Sequence, residues 1–189
     1  TYDYIETSKF IQYTIYYNYK KNVNGKTYNR KNIPIRIAVP KGKEPANGWN
    51  YLLYFEFSGT NNGGCLENWG LQSYGGLNKN YLIGKIDSRY KIQQNYFHNL
   101  VCNNVAVIFI PDFIYDIRYF LDCTNNTFDN NNVCWNEGNN PDRWLFDLLF
   151  KDMSDNTLNY NNNKINLNYD KCSVMGYSAG APMVSRCFQ

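Results

Sequence analysis

The pattern of apolar and polar positions changes period several times along the chain. Residues 10–19 (Phe-Ile-Gln-Tyr-Thr-Ile-Tyr-Tyr-Asn-Tyr) are dense in β-branched and aromatic side chains and predict a strand. Residues 33–39 (Ile-Pro-Ile-Arg-Ile-Ala-Val) alternate and stop at Pro40, which predicts a second strand. Asn24-Gly25 between them is a strong turn signal, so the chain should open with an antiparallel pair. Pro34 suits the start of a strand or an edge. Residues 51–57 (Tyr-Leu-Leu-Tyr-Phe-Glu-Phe) read as a more buried strand that runs into a polar, glycine-rich loop at 58–64. Residues 105–110 (Val-Ala-Val-Ile-Phe-Ile) are continuously apolar, as in a central parallel strand covered on both faces, and end at Pro111-Asp112.

Residues 141–151 predict a helix, with Asn140 as cap and Pro141 in the first position. Leu145, Leu148 and Leu149 would share its apolar face. A polar connector over 156–168 leads to a short strand at 172–175, and 181–188 is compatible with a helix. Buried strands alternating with helices predict an α/β fold with a mostly parallel sheet, antiparallel opening strands and right-handed crossovers. No repeat or linker divides the chain, so 1–189 is read as a single domain. Residues 60–100 and 112–139 read as long irregular insertions, and such insertions often build binding surfaces.

Composition narrows the function class. The chain has 189 residues, 43% hydrophobic and 19% charged, which is ordinary for a globular protein with a sizeable core. A net charge of +3 with scattered Lys and Arg gives no nucleic-acid footprint. No apolar run reaches membrane-spanning length. The tracts Asn130-Asn131-Asn132 and Asn161-Asn162-Asn163 look like loop insertions. Six cysteines (Cys65, Cys102, Cys123, Cys134, Cys172, Cys187) and the sequon Asn125-Asn126-Thr127 point to an oxidising compartment. The expectation is a secreted or secretory-lumen glycoprotein with a disulfide framework, glycosylated at Asn125. With one histidine and no C-x-x-C pair, no metal site and no cofactor are expected.

The chemistry concentrates in Gly176-Tyr177-Ser178-Ala179-Gly180, a G-x-S-x-G pentapeptide between an apolar strand-like run and a helix-compatible run. A strand–turn–helix of this kind is a nucleophile elbow: it lifts the serine hydroxyl off the backbone and aims helix N–H groups at the site. Gly176 and Gly180 leave room for the strained turn. Ser178 is the candidate nucleophile, and it needs a base to take its proton. The Ala179 N–H should supply one oxyanion donor, and the loop after the earlier buried strand, at Thr60, the other. Enzymes of this kind order their triad Ser, Asp/Glu, His. No residue from Ala179 to Gln189 is Asp, Glu or His. His98 precedes the serine and reads as structural, and Asp112 reads as a strand-end turn residue.

These residues support a family resemblance over roughly residues 30–189. The chain resembles secreted esterases of the α/β-hydrolase class typified by polyhydroxybutyrate depolymerases and feruloyl-esterase-like proteins. Residues 165–180 (Ile-Asn-Leu-Asn-Tyr-Asp-Lys-Cys-Ser-Val-Met-Gly-Tyr-Ser-Ala-Gly) carry it most specifically. Ile35-Arg36-Ile37-Ala38-Val39-Pro40, Phe57-Ser58-Gly59-Thr60 and Cys134-Trp135-Asn136 also resemble segments of that family. Two departures stand out: Ser58 replaces a usual histidine, and Ala181 a common glycine. Asn95-Tyr96-Phe97-His98-Asn99, with the Ser-Ala-Gly elbow, is similar to pectin-acetylesterase and Notum-like carboxylesterases, the second choice.

The resemblance implies the N-terminal portion of an α/β-hydrolase fold whose C-terminal part is absent from these residues. It implies a secreted serine carboxylesterase acting through an acyl-serine. The acid and the histidine would come from sequence beyond Gln189 or from a second chain, and the substrate would be a polyester, a sugar ester or another acylated molecule. The alternative is a catalytically inactive hydrolase-like scaffold kept for binding or assembly.

Overall fold

The computed structural model describes residues 3–23, 26–55, 72–73, 76–77, 91–110, 143–176, 181 and 184. Three strands open the chain: β1 (Tyr4–Glu6), β2 (Phe10–Val23) and β3 (Lys26–Pro40). Then come β4 (Trp49–Phe55), the short β5 (Gln72–Ser73) and β6 (Gly76–Leu77), helix α1 (Lys91–Cys102) and β7 (Val105–Ile110). Helix α2 (Arg143–Ser154), β8 (Asn159–Tyr160), β9 (Asn163–Lys164) and β10 (Leu167–Gly176) complete the order.

The main sheet has the order β1-β2-β3-β7-β4-β10. Here the structure corrects the expected fold class. Pairings β1·β2, β2·β3 and β3·β7 are antiparallel, whereas only β7·β4 and β4·β10 are parallel. The sheet is therefore mixed, not the mostly parallel sheet of an α/β-hydrolase, and strands outweigh helices among the described residues. The reason lies in the opening hairpin. The apolar alternation of residues 10–19 and 33–39 marks only the buried half of two much longer strands. Their polar, tyrosine-rich continuations also pair, from Phe10↔Pro40 out to Val23↔Lys26. Asn24 and Gly25 lie outside the described residues. β7 pairs with β3 only from Arg36↔Phe109 to Ala38↔Val107. Pro34 thus has no β7 residue opposite it, and its missing N–H costs that ladder nothing.

The central strands bury both faces, and their residues sort by parity, as a period-two strand requires. Ile35, Ile37, Leu53, Phe55, Ile108 and Ile110 face one side, where Leu145, Leu149 and Met153 of α2 cover them. Ala38, Leu52, Tyr54, Val107 and Phe109 face the other, covered by Phe97 and Val101 of α1. Tyr54, Phe97 and Phe109 pack edge to face, with centroids 4.9–5.9 Å apart. Each fully buried side chain of this size contributes about 1.5–3 kcal/mol.

Helix α2 matches the expected helix, but Leu148 is exposed and the buried stripe runs Leu145–Leu149–Met153. Helix α1 falls inside the stretch expected to be irregular. Residues 156–168, expected to be a plain connector, contain a hairpin and the start of β10.

Asparagine closes several of these elements. Asn104 and Asn156 take φ values of 62° and 55° just after α1 and α2, the left-handed conformation that ends helices. Asn161 and Asn162, with φ of 47° and 67°, form the two-residue turn of the β8–β9 hairpin. Asparagine tolerates that region better than other residues with a Cβ.

Two joints hold the layers in place. Buried Tyr17 of β2 donates its hydroxyl to Asp152 Oδ2 of α2 at 2.8 Å. Burial, and then this bond to a carboxylate, push the Tyr17 phenol far above its ordinary value of 10.0. Gly48, at φ 81°, brings its backbone against residues 166–167, and the Trp49 N–H donates to the Asn166 carbonyl at 2.9 Å. This contact seats the start of β10 against β4.

Tyr17→Phe should cost about 1 kcal/mol in urea unfolding at neutral pH. The folded-state value of Tyr17 is raised, so its contribution is complete below pH 10.0 and declines as pH rises beyond that. The wild type should therefore lose stability faster than Tyr17→Phe across alkaline pH. Equal slopes would refute that assignment. Gly48→Ala should cost about 1–3 kcal/mol, because a Cβ there would stand 2.8 Å from the Leu167 carbonyl carbon. The measurement is the urea midpoint.

Candidate functional site

The register aligns the three strands that precede the sequence-named segments. Gly176 of β10 is level with Phe55 of β4, and Phe55 with Ile110 of β7. All three strands run in parallel, so their C-terminal ends form one row. Thr60, Asp112 and Ser178 each follow one of these ends in sequence. Ligand sites of parallel sheets gather outside this end of the strands.

β10 ends at Gly176, and Ala181 and Val184 are helical. Val184 packs against the core cluster on the α2 side. Residues 177–180 stand in sequence between β10 and helical Ala181. Ser178, Ala179, Gly180, Thr60, Asp112 and Asn125 lie outside the described residues. Gly176 is half-buried at the strand end.

His98 belongs to the opposite end. It lies on α1, its ring edge-on to Phe10 with centroids 5.9 Å apart. Phe10 pairs with Pro40, beyond the N-terminal ends of the parallel strands. The rise per residue puts that end roughly 15–20 Å along the strands from the Gly176 row. The described structure does not bring His98 toward the strand end that precedes Ser178.

Tyr51 of β4 and Cys172 of β10 stand side by side in register. Burial pushes the Tyr51 phenol far up, and the neighbouring Cys172 adds to this. Burial against β4 also raises the Cys172 thiol, although its residue lies on the exposed outer edge. The Tyr51 hydroxyl beside it acts in the opposite direction, while the thiol donates to the Ser173 carbonyl at 3.4 Å. Neither group is tuned to exchange protons near neutral pH.

Cys102 and Cys172 are free thiols, and Cys65, Cys123, Cys134 and Cys187 lie outside the described residues. Among the described residues no group of three His, Cys, Asp or Glu side chains could hold a metal ion. No helix among them is long and apolar enough to cross a membrane. Comparisons with protein-family models, with curated proteins and with solved structures found no match.

One surface feature escaped the sequence reading: a cluster of tyrosines from β1, β2 and the β8–β9 hairpin, beside a small cleft. Its signal was the outward-facing tyrosines of residues 4–16, but the partner hairpin is distant in sequence.

Tyr51→Phe should slow alkylation of Cys172 by iodoacetamide several-fold at fixed mildly alkaline pH, because the thiolate loses a donor and its pKa rises further. Peptide mass spectrometry reads the rate, and an unchanged or faster rate would refute a stabilising effect of Tyr51 on the Cys172 thiolate.

Proposed function

We propose that this chain carries the nucleophile of a serine carboxylesterase, with Ser178 as the attacking residue. The observation that supports this most is the strand–connection–helix setting of the G-x-S-x-G pentapeptide: β10 ends at Gly176 and the chain is helical at Ala181. The resemblance of residues 165–180 to the polyhydroxybutyrate-depolymerase and feruloyl-esterase-like segment adds to it. In this reading the Ser178 Oγ attacks an ester carbonyl carbon while a histidine takes its proton. The N–H groups of Ala179 and Thr60 hold the oxyanion. The alcohol leaves with the proton, and water then hydrolyses the acyl-serine and frees the acid.

His98 packs on Phe10 at the other end of the sheet, so this reading takes its histidine from another chain or from sequence outside these residues. The six cysteines and the Asn125 sequon favour a secreted or lumenal setting. Aromatic and polar groups near the strand ends would select the acyl and alcohol parts of the ester.

Native material should react with a fluorophosphonate probe at Ser178, located by peptide mass spectrometry. Ser178→Ala should abolish labelling and lower kcat on p-nitrophenyl acetate by roughly 10^4-fold or more. Folded native material that leaves Ser178 unlabelled, with a histidine-bearing segment present, would refute the esterase and leave a hydrolase-like binding scaffold.

A further inference from the structure

The opening hairpin carries a charge that the whole-chain total hides. Residues 7–43 hold nine Lys or Arg and no Asp or Glu, whereas the rest of the chain holds ten against sixteen. The net charge of +3 therefore combines a strongly basic hairpin with an acidic remainder. Strand pairing gathers part of that charge at one end. β7 meets β3 only at 36–38, and β1 meets β2 only at 11–13. Beyond these positions the two arms pair with each other alone among the described strands. Arg36 is level with Phe109, and β3 runs against β7, so the outer ribbon passes the row of Phe55, Ile110 and Gly176.

The inner ribbon is already occupied. Tyr17 and Tyr19 are buried on the α2 side. Tyr16 donates to Asp3 Oδ1 at 2.6 Å, and the Asp152 carboxylate accepts from the hydroxyls of Tyr17 and Thr157. The outer part, 20–23 against 26–29, extends roughly 13 Å further. Cations stand on both of its faces. Lys20 is exposed, on the face opposite buried Tyr19. The pairs Tyr19↔Arg30, Lys21↔Tyr28 and Val23↔Lys26 place Lys21, Lys26 and Arg30 on the Tyr19 face by the period of two. Exposed Lys31 lies in the irregularity opposite Asn18, where the Asn32 N–H donates to Asn18 Oδ1 at 2.8 Å. Among the described residues Lys20 and Lys31 form no ion pair. Between the cations stands the exposed pair Asn22↔Thr27.

This arrangement selects among polyanions. A linear sulfated chain lies along one face and leaves the cations of the other in water. Anchoring in an anionic bilayer combines basic residues with apolar ones that enter the interface. Of Asn22, Val23, Lys26 and Thr27 only Val23 is apolar. The major groove of duplex DNA has phosphates along both sides, is about 12 Å wide and about 8.5 Å deep, and admits a two-stranded ribbon. The free length of this ribbon exceeds that depth. Asn and Thr side chains are groups that pair with base edges there.

We propose that the end of the β2–β3 ribbon binds duplex DNA. It enters the major groove with the Lys20 face toward one line of phosphates and the Lys21 and Lys26 face toward the other. The site rests on the hairpin alone and is independent of Ser178 and of the esterase reading.

The test is fluorescence anisotropy of a labelled DNA duplex of about two helical turns, titrated with the native protein. The expected result is saturable binding that weakens at least about a hundredfold between about 50 and about 200 mM salt. Combining Lys20→Ala, Lys21→Ala and Lys26→Ala should weaken binding about a hundredfold at the lower salt and reduce the salt slope by about three. Circular dichroism should show that variant folded. Lys9→Ala with Lys43→Ala, exposed positions on the same hairpin region away from its tip, should leave binding unchanged. Ser178→Ala should also leave it unchanged, so that failure of the esterase and failure of this site are told apart. Absence of duplex binding at the lower salt overturns the proposal, as does binding that the triple variant retains. Tighter binding of the single strand than of the duplex overturns it too, and so does co-sedimentation with phosphatidylserine vesicles in the absence of duplex binding.

Discussion

Everything in this fold depends on the short antiparallel ladder between β3 and β7. Three residue pairs, Arg36↔Phe109 to Ala38↔Val107, join the long opening hairpin to the parallel strands. Without them the molecule would be a hairpin and a separate three-stranded parallel sheet, each with an exposed apolar edge. The ladder is short, yet it is stiffened from both sides. Ile37 and Ile108 point toward α2, while Ala38, Val107 and Phe109 point toward α1. Two helices therefore clamp one three-residue seam. A polar exception sits in that seam: Arg36 is buried, and its Nε has no hydrogen-bond partner among the described residues. A buried charged group without full pairing costs stability, so the apolar seam must exceed that cost.

This seam also explains how much was legible in the sequence. Continuous apolar runs such as residues 105–110 are unambiguous, because only a strand covered on both faces tolerates them. Helix α2 was legible from its Leu145–Leu149 spacing. Strand direction was not legible, because β7 pairs parallel with β4 and antiparallel with β3 using the same apolar side chains. The mostly parallel reading failed there. Helix α1 was missed because its apolar side, Phe97, Leu100 and Val101, is sparse among Asn, Gln and Tyr. The asparagine tracts looked like filler, yet Asn161 and Asn162 supply the left-handed turn that places Tyr160 beside Tyr13. The G-x-S-x-G pentapeptide stood out because it is a local pattern, and Ser178 lies outside the described residues. The cluster of Tyr4, Tyr13 and Tyr160 was not legible, because Tyr4 and Tyr160 are distant in sequence.

Parallel strands give a sheet two chemically different ends. At the C-terminal row of Phe55, Ile110 and Gly176 the three parallel strands end level with one another. At the N-terminal end, the connections that enter the strands form a closed surface. Here that surface includes Trp49, the hairpin β8–β9 and the outward rings of β1 and β2.

His98 tests this difference between the two ends inside one molecule. A lone histidine in a candidate serine hydrolase invites assignment as the base. Its contact with Phe10 ties it instead to the end where β2 begins and β3 finishes. Moving it to the Gly176 row would require α1 to withdraw Phe97 and Val101 from the apolar face they cover. Each of those side chains contributes about 1.5–3 kcal/mol by burial. Proton transfer needs contact within hydrogen-bond reach, and a general base contributes only when it is held there. The packing that stabilises the sheet is thus the same packing that withholds His98 from chemistry.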